Sequence, residues 1–304
     1  MNEKEIFEMT KHLDDKYILE AASEPKKNIK FKKRIITFAV AAALTASLSI
    51  SAFAAYKALN RESVGNYYDS STMDKIEQKG YVSDVTAKNE HFEMSVDTIV
   101  KDEHSLKAVV SVKGLDDAAE KYIAHSTQMC SELVYSDTGE KVQGFAAMFG
   151  WQPYEKGKAY PMRLTIPVNN AMGVVDLSRP IKINFIRDDQ NPEAADVDLF
   201  NNLSLELKDV KQSKTAKFTS EKGEVCSVSE ITIACDVKSF EDDISGDMKI
   251  HYKDGTIETL EEKINEVTFD LVDDTRYVMI IDLKTFIDPE TIDFIECRGE
   301  SYKR

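Results

Sequence analysis

Residues Ile35–Tyr56 read IITFAVAAALTASLSISAFAAY and contain no charged side chain. As an α-helix with a rise of about 1.5 Å per residue, this stretch would extend about 33 Å. The hydrocarbon core of a bilayer is about 30 Å thick. The stretch therefore predicts one transmembrane helix, which divides the chain into a short N-terminal part and a long C-terminal part.

A block of basic residues stands directly before this stretch. It contains no acidic residue, and its members are Lys26, Lys27, Lys30, Lys32, Lys33 and Arg34. Positive charge beside a transmembrane helix is retained on the cytoplasmic side of the membrane. We therefore expect a single-pass protein of the cell membrane, bound to the lipid bilayer, with a cytoplasmic N-terminus and an extracellular C-terminus.

A secreted protein is the alternative for this stretch. Ala52-Phe53-Ala54 matches the small-residue pattern of a signal-peptidase site, so cleavage near Ala54 would release a chain that starts at Ala55. However, 34 residues precede the apolar stretch, whereas a whole signal peptide has about 15 to 30 residues. This length favours a retained anchor.

The first residues of the chain predict an amphipathic helix. Ile6, Met9, Leu13 and Tyr17 recur there at spacings of three, four and four, which places them on one helical face, with Phe7 and Ile18 beside them. The residues that we assign to a partner-binding face are Ile6, Phe7, Leu13, Tyr17 and Ile18. A helix this short is marginal alone in water, so its apolar face needs the inner membrane surface, a second copy of the helix or a cytoplasmic partner. The alternative is a tail that serves only as a topology signal.

The part beyond the apolar stretch is strongly acidic. Residues 1–34 hold nine Lys or Arg and seven Asp or Glu, so 30 of the 39 basic and 47 of the 54 acidic residues follow the stretch, a net charge of −17. Nucleic acids and other polyanions require a positively charged surface. We therefore predict no nucleic-acid partner for this part of the chain.

Short alternating runs rich in β-branched residues predict antiparallel strands from Tyr81 onward. An acidic, proline-containing break over residues 187–198 separates two groups of runs. Seven short runs after it are typical of an immunoglobulin-like sandwich. We therefore predict a mainly β protein with one N-terminal transmembrane helix and two antiparallel β domains. The predicted parts are 1–34 (cytoplasmic helix and basic segment), 35–56 (transmembrane helix), 57–80 (stem and short helix), 81–190 (first β domain) and 191–304 (second, immunoglobulin-like domain).

No motif in the sequence nominates catalytic residues. Asp137-Thr138-Gly139 matches the triplet of aspartic proteases, but that chemistry needs a second carboxylate, and a hairpin turn explains the triplet better. The histidines and cysteines lack metal-ligand spacing. We therefore predict a non-enzymatic protein with no cofactor and no metal site.

The stretch 145–160 is the most recognition-like part of the outer chain. It carries Phe149, Trp151 and Tyr154 among glycines, and exposed aromatic side chains suit contact with a sugar or a peptide. We take these three residues as a possible outer recognition site for an unknown envelope ligand. Packing of the same side chains into the core is the alternative.

The four cysteines, Cys130, Cys226, Cys235 and Cys297, all follow the apolar stretch. An oxidising compartment would allow two disulfides in any of three pairings. Because each cysteine stands in an apolar, strand-like run, we expect buried thiols instead.

Three parts of the chain together resemble a known family. They are the run LDDKYILEAA (Leu13–Ala22), the block KKNIKFKKR before the apolar stretch, and the final run IDLKTFIDPETIDFIECRGESY (Ile281–Tyr302). In this order they resemble Gram-positive single-pass membrane proteins of anti-sigma-factor type, whose extracytoplasmic domain has no known function. The resemblance implies that the inner helix binds an extracytoplasmic-function sigma factor and that the outer domains sense the envelope.

The sequence thus predicts a membrane-anchored, non-enzymatic regulator of anti-sigma-factor type. The alternative is a cell-surface or secreted binding or structural module with no role in transcription.

Overall fold

The computed structural model describes residues 61–126, 128–170, 173–186, 198–239, 245–273 and 276–304. The chain divides into two units, Met1–Lys57 and Ala58–Arg304. The predicted inner helix, basic block and transmembrane helix lie outside the described residues. Within the described ranges, no helix has both the length and the apolar character needed to cross a membrane.

The described part of the chain is mainly β, and its sheets are antiparallel, as the alternating runs predicted. The helices are α1 (Ser70–Lys79) and α2 (Asp117–His125), with a helical turn over residues 61–64 and 3₁₀ turns at Ser245–Asp247, Glu261–Lys263 and Pro289–Thr291. In the first β region, residues 82–207, the strands are β1 (Thr86–Lys88), β2 (Phe92–Lys101), β3 (Ser105–Gly114), β4 (Gln128–Met129), β5 (Ser131–Tyr135), β6 (Ala147–Phe149), β7 (Tyr160–Pro167), β8 (Asn169–Asn170), β9 (Gly173–Val174), β10 (Ile181–Phe185) and β11 (Ser204–Leu207). In the second β region, residues 213–304, they are β12 (Thr215–Thr219), β13 (Val225–Ser229), β14 (Thr232–Val237), β15 (Met248–Tyr252), β16 (Ile257–Thr259), β17 (Ile264–Asp273), β18 (Arg276–Leu283), β19 (Ile292–Cys297) and β20 (Glu300–Lys303).

The first β region folds around one hydrophobic cluster. A six-stranded sheet, in the order β1-β2-β3-β7-β6-β4, and a three-stranded sheet, in the order β11-β10-β5, both contribute side chains to it. Met94 of β2 and Val110 of β3 are fully buried there, because successive side chains of a strand point to opposite faces. Cys130 alone separates β4 from β5, so the chain itself joins the two sheets at that side.

Helix α2 covers part of this cluster and was not predicted. Its N-cap Asp116 accepts a hydrogen bond from the backbone N–H of Ala119 at 2.8 Å. Tyr122 is fully buried and packs edge-on against Phe92 and Phe200, with ring centroids 6.2 and 5.1 Å away. The helix has only nine residues and lies among strand-like runs. It spans too few turns for the 3.6-residue recurrence of apolar side chains to indicate a helix.

Helix α1 confirms the predicted C-terminus but corrects the N-terminus. Gly80 takes the left-handed conformation, with φ of 70°, and ends the helix as predicted. The sequence of the stem predicts Ser71 or Thr72 as the N-cap, and this prediction is wrong. Asp69 is the N-cap, and its carboxylate accepts a hydrogen bond from the backbone N–H of Thr72 at 2.6 Å. Backbone N–H groups in the first turn of a helix have no acceptor within the helix, and a short polar side chain at the N-cap supplies one.

The second β region is a single nine-stranded sheet in the order β16-β15-β19-β20-β12-β13-β14-β18-β17. Its buried cluster unites Phe218 of β12, Ile250 of β15 and Ile281 of β18. Because side chains from distant strands of one sheet meet in one cluster, the sheet must curl over itself. This arrangement is consistent with a β-sandwich.

The run Val225–Cys235, one of the seven runs predicted after residue 198 and expected to form a single strand, is a β-hairpin. β13 ends at Ser229 and β14 begins at Thr232, so Glu230 and Ile231 form the loop. No Gly, Pro, Asn or Asp marks this loop, which is why the sequence pattern did not predict it. Glu230 is 1% exposed and bonds to residues outside the hairpin.

The expectation of buried thiols is wrong for one pair of cysteines. Cys226 and Cys235 are directly opposed on β13 and β14, with Cα atoms 4.1 Å apart, and they form a disulfide. The bridge depends on the hairpin, because only that turn brings the two cysteines opposite each other. Cys297 is buried, and burial raises the pKa of its thiol to about 11.

Residues 61–81, which we call the linking segment, lie between the two β regions. A third hydrophobic cluster joins Val64, Ile76 and Tyr81 of this segment to Val109 of β3 and to Ile231 of the second region. The predicted stem is therefore, from residue 61 onward, packed against both β regions.

Polar contacts hold the linking segment on both sides. Toward the first region, the phenol of Tyr67 donates to the carbonyl of Pro161 at 3.1 Å. Toward the second region, the backbone N–H of Phe286 donates to the Thr72 hydroxyl at 2.8 Å, and Lys79 Nζ donates to Glu230 at 3.0 Å. Each partner lies at least 94 residues away along the chain, so the segment connects distant parts of the fold.

Along the sequence, the first main hydrophobic cluster gives way to the second after the predicted domain boundary at residue 190. The first cluster extends to Leu207, and β11 pairs with β10. The second cluster begins at Ala216. Because the third cluster contains residues of both regions, the division into two domains stays a prediction.

The disulfide predicts a thiol count. Unfolded in guanidinium chloride without reductant, the full chain should show two reactive thiols, from Cys130 and Cys297, in a colorimetric thiol assay. After reduction it should show four. Four thiols before reduction would contradict the bridge, provided that the protein is isolated under oxidising conditions. The Cys226→Ser, Cys235→Ser double variant is the control, with two thiols under both conditions.

Candidate functional site

Trp151 stands in the loop after β6 and is 54% exposed. Its ring lies 6.2 Å from that of Phe149, with only 24° between the two planes. It lies 6.2 Å from the ring of Tyr67 at a steep angle of 67°. We call these three residues the aromatic platform. Two of the three predicted recognition residues are therefore brought together, and Tyr67 of the linking segment joins them.

Close packing holds the loop in this position. A Cβ atom at Gly150 would collide with the ring of Tyr160, so only glycine lets the chain pass there. Tyr67 is 4% exposed, and burial raises the pKa of its phenol. The phenol therefore stays protonated and keeps its hydrogen bond to the carbonyl of Pro161.

Tyr154, the third predicted recognition residue, is half-buried and packs elsewhere. Its ring meets that of Tyr160 edge-on at 6.2 Å, and it packs against the first hydrophobic cluster. For this residue, packing into the core describes the structure better than exposed recognition.

The remaining predicted site residues lie outside the described residues. They are Ile6, Phe7, Leu13, Tyr17 and Ile18 of the inner helix, and Lys26, Lys27, Lys30, Lys32, Lys33 and Arg34 of the basic block.

Charged side chains meet in a buried cluster where β3, β7 and β18 approach one another. Asp282 forms ion pairs with Lys107 and Arg163, and all three residues are at most 5% exposed. Lys107 Nζ also donates to the Thr232 hydroxyl at 2.9 Å, and Arg163 lies 3.3 Å from Glu266. We call these five residues the seam cluster, because the two bases belong to the first β region and their partners to the second.

The aromatic platform borders the seam cluster. Phe149 and Arg163 are directly opposed on β6 and β7. Asn265, the neighbour of Glu266, donates its side-chain N–H to the carbonyl of Tyr67 at 2.8 Å. The platform therefore lies where both β regions and the linking segment come together.

A second buried carboxylate lies close to the linking segment. Asp97 of β2 is fully buried and accepts hydrogen bonds from the hydroxyls of Ser111 and Ser95, at 2.5 and 3.1 Å. Ser111 in turn pairs with Ser63 of the linking segment at 2.7 Å. Burial raises the pKa of Asp97 to about 6, against the opposing effect of the hydroxyls. Folding therefore becomes less favourable as the pH rises through about 6, because the ionised carboxylate must remain buried.

Asp137-Thr138-Gly139 forms the predicted hairpin turn. Gly139 has φ of 75°, and its N–H donates to the carbonyl of Tyr135 at 2.7 Å. Arg179 donates to both carboxylate oxygens of Asp137 and stacks on Tyr135, with its guanidinium carbon 3.7 Å from the ring centroid. This carboxylate is committed to an ion pair, which lowers its pKa.

Two adjoining surface grooves of 620 and 390 Å³ share Ser136, Glu206 and Lys208. Acidic and basic side chains both line them. Neither groove contains a member of the aromatic platform. Among the residues that the structure describes, no group of three or more His, Cys, Asp or Glu is arranged to hold a metal ion.

No protein-family description and no curated protein matches the sequence. Among solved structures, the chain is similar to the crystal structure of the conserved domain protein from Bacillus anthracis. The identity is 10%, the TM-score is 0.42, and the match covers 75% of this chain and 78% of that chain. A likeness at this level carries no argument about fold or function.

The sequence pattern did not predict the seam cluster. In the runs SLKAVVSV and MRLTIPV, Lys107 and Arg163 fall on the polar side of an alternating pattern, which predicts exposure to solvent. The sequence did contain one sign of burial, because the apolar Val109 lies on the same side of β3 as Lys107. In the structure Val109 is 1% exposed. Both faces of β3 are therefore covered.

Replacing the shared carboxylate tests the seam cluster. Asp282→Ala leaves Lys107 and Arg163 buried without their common partner, and it should lower the free energy of unfolding by about 3 to 5 kcal/mol, measured by urea denaturation. Lys88→Ala, at an ion pair whose side chains are 62% and 51% exposed, is the control and should cost less than about 1 kcal/mol. Equal losses in the two variants would contradict a buried cluster.

Proposed function

We propose that this protein is a membrane-anchored, non-enzymatic regulator of anti-sigma-factor type. Its inner helix contacts a sigma factor, and its outer β regions sense the envelope. The observation that carries the proposal is the position of the linking segment. This segment follows the predicted transmembrane helix and packs against both β regions, and its Tyr67 contacts the exposed Trp151.

The length of chain between the membrane and the fold supports this coupling. Residues 57–60 alone separate the end of the predicted transmembrane helix from the linking segment. A ligand that moves the aromatic platform therefore acts on a segment close, along the chain, to the membrane.

The disulfide and the charge support an outer location for the β regions. Disulfides persist in oxidising compartments and are rare in the cytosol, and Cys226–Cys235 is a bridge of this kind. The net charge of −17 beyond the apolar stretch contrasts with the six basic residues before it, in agreement with the orientation that we propose.

The finer features of the fold belong to the same proposal. They are a transmembrane helix over residues 35–56 and an immunoglobulin-like form for the second β region. The curled antiparallel sheet around one core is compatible with that form.

The exposed platform also favours a second candidate, a cell-surface or secreted module that binds an envelope ligand and has no role in transcription. In that case the inner helix is idle, or it is removed by cleavage near Ala54. The two candidates share the outer surface and differ in the inner helix.

Co-purification from membranes distinguishes them. The full-length protein, solubilised in detergent, should retain one extracytoplasmic-function sigma factor of its host. The Leu13→Ala, Tyr17→Ala double variant should lose it, because both side chains lie on the predicted apolar face. The Glu8→Ala, Asp15→Ala double variant, changed on the opposite face, is the control and should retain it. Failure to retain any sigma factor of the host, or equal retention by both variants, would contradict the proposal.

A further inference from the structure

Trp151 is the only tryptophan of the chain, and more than half of its surface faces solvent. The ring of Phe149 lies nearly parallel beside it, so the two rings together offer a broad aromatic surface. The buried ring of Tyr67 packs against the tryptophan at a steep angle. An exposed, supported tryptophan is suited to contact with a ligand.

Acidic side chains lie on the linking segment and on the strand that binds it. Glu62 is exposed on the linking segment that also carries Tyr67. Glu266 pairs with Arg163 of the seam cluster on one side, is 32% exposed, and flanks Asn265, which donates to the carbonyl of Tyr67. The wider surface has the same sign, since 47 acidic residues outnumber 30 basic ones beyond the apolar stretch. Such a field attracts cations and repels anions.

The chain already pairs its own cations with aromatic rings. Arg179 stacks on Tyr135 at 3.7 Å, and Lys75 lies 4.9 Å from the ring centroid of Phe286. Tryptophan binds cations best among the aromatic side chains, yet none of the described Lys or Arg side chains lies over Trp151. The one aromatic residue best suited to a cation faces solvent.

We propose that the aromatic platform binds a basic peptide segment, with a guanidinium or ammonium group over Trp151 and further basic groups near Glu62 and Glu266. The proposal names the ligand class for the outer recognition site of the proposed function and rests on it in that respect. A neutral glycan, which would stack on the same rings without regard to charge, is the competing outcome.

The sole tryptophan makes the binding directly visible. An acetylated hexa-arginine amide peptide, titrated into the full-length protein in detergent, should change the intrinsic fluorescence of Trp151 in a saturable way. The effect should weaken as salt is raised from 0.05 to about 0.5 M, because salt screens the charges. A change with a neutral chito-oligosaccharide but none with the peptide would overturn the proposal.

Variants locate the site. With a fluorescein-labelled form of the peptide, followed by anisotropy, Trp151→Ala should weaken binding about threefold to tenfold. Trp151→Phe should weaken it less, since the ring is kept. Ile257→Ala, at a side chain 57% exposed in the second β region, should leave it unchanged. Equal affinity of Trp151→Ala and Ile257→Ala would overturn the proposal, and matching thermal unfolding of the two variants shows that both are folded.

Charge variants test the acidic border. The Glu62→Gln, Glu266→Gln double variant should weaken peptide binding and flatten its salt dependence, whereas Glu261→Gln, exposed elsewhere, should do neither. Identical salt dependence in the two would overturn the assigned site. These assays read only the outer surface, so their failure leaves the sigma-factor proposal intact, and a failed sigma-factor co-purification leaves this one intact.

Discussion

Asp282 is the carboxylate on which the arrangement of the two β regions depends. It is 5% exposed and neutralises Lys107 and Arg163, which belong to neighbouring strands of the other region. Three charges removed from water are tolerable only when they are paired and hydrogen-bonded. Separating the regions would leave these groups without partners until water replaced them. The seam cluster therefore favours one alignment of the two β regions. Two apolar surfaces can shift past each other at little cost, whereas a shift at Asp282 would break its ion pairs with Lys107 and Arg163.

The linking segment gains its role from this alignment. Its apolar side chains fill the space between Val109 of the first region and Ile231 of the second, and its polar contacts reach both sides. An exposed aromatic platform rests on the same segment through Tyr67. The surface that we propose to bind a ligand, the strand that carries part of the seam cluster and the linking segment are thus in contact with one another. These contacts are the structural basis of the regulator that we propose.

Much of the fold could be predicted from sequence, because strand alternation is local. β2, β15 and β19 match the runs predicted at His91–Val100, Met248–Tyr252 and Ile292–Cys297 within about one residue at each end, and Gly80 ended its helix as expected. The hairpin at Glu230 was missed, since a buried glutamate held by Lys79 and Tyr81 replaces the usual turn residues. The disulfide was missed with it. At the site, Phe149 and Trp151 were recognisable as aromatic residues in a glycine-containing stretch. The seam cluster and Tyr67 were not, because their roles depend on contacts between residues far apart in sequence.

Unfolding the two β regions with separate probes tests the central claim, that the seam makes them one cooperative unit. Trp151 fluorescence reports the first region, and thiol labelling of the buried Cys297 in a Cys130→Ser variant reports the second. We predict that both probes give one midpoint in urea. Labelling of Cys297 at a clearly lower urea concentration than the change at Trp151, or the reverse order, would show that the regions unfold independently and would contradict the account.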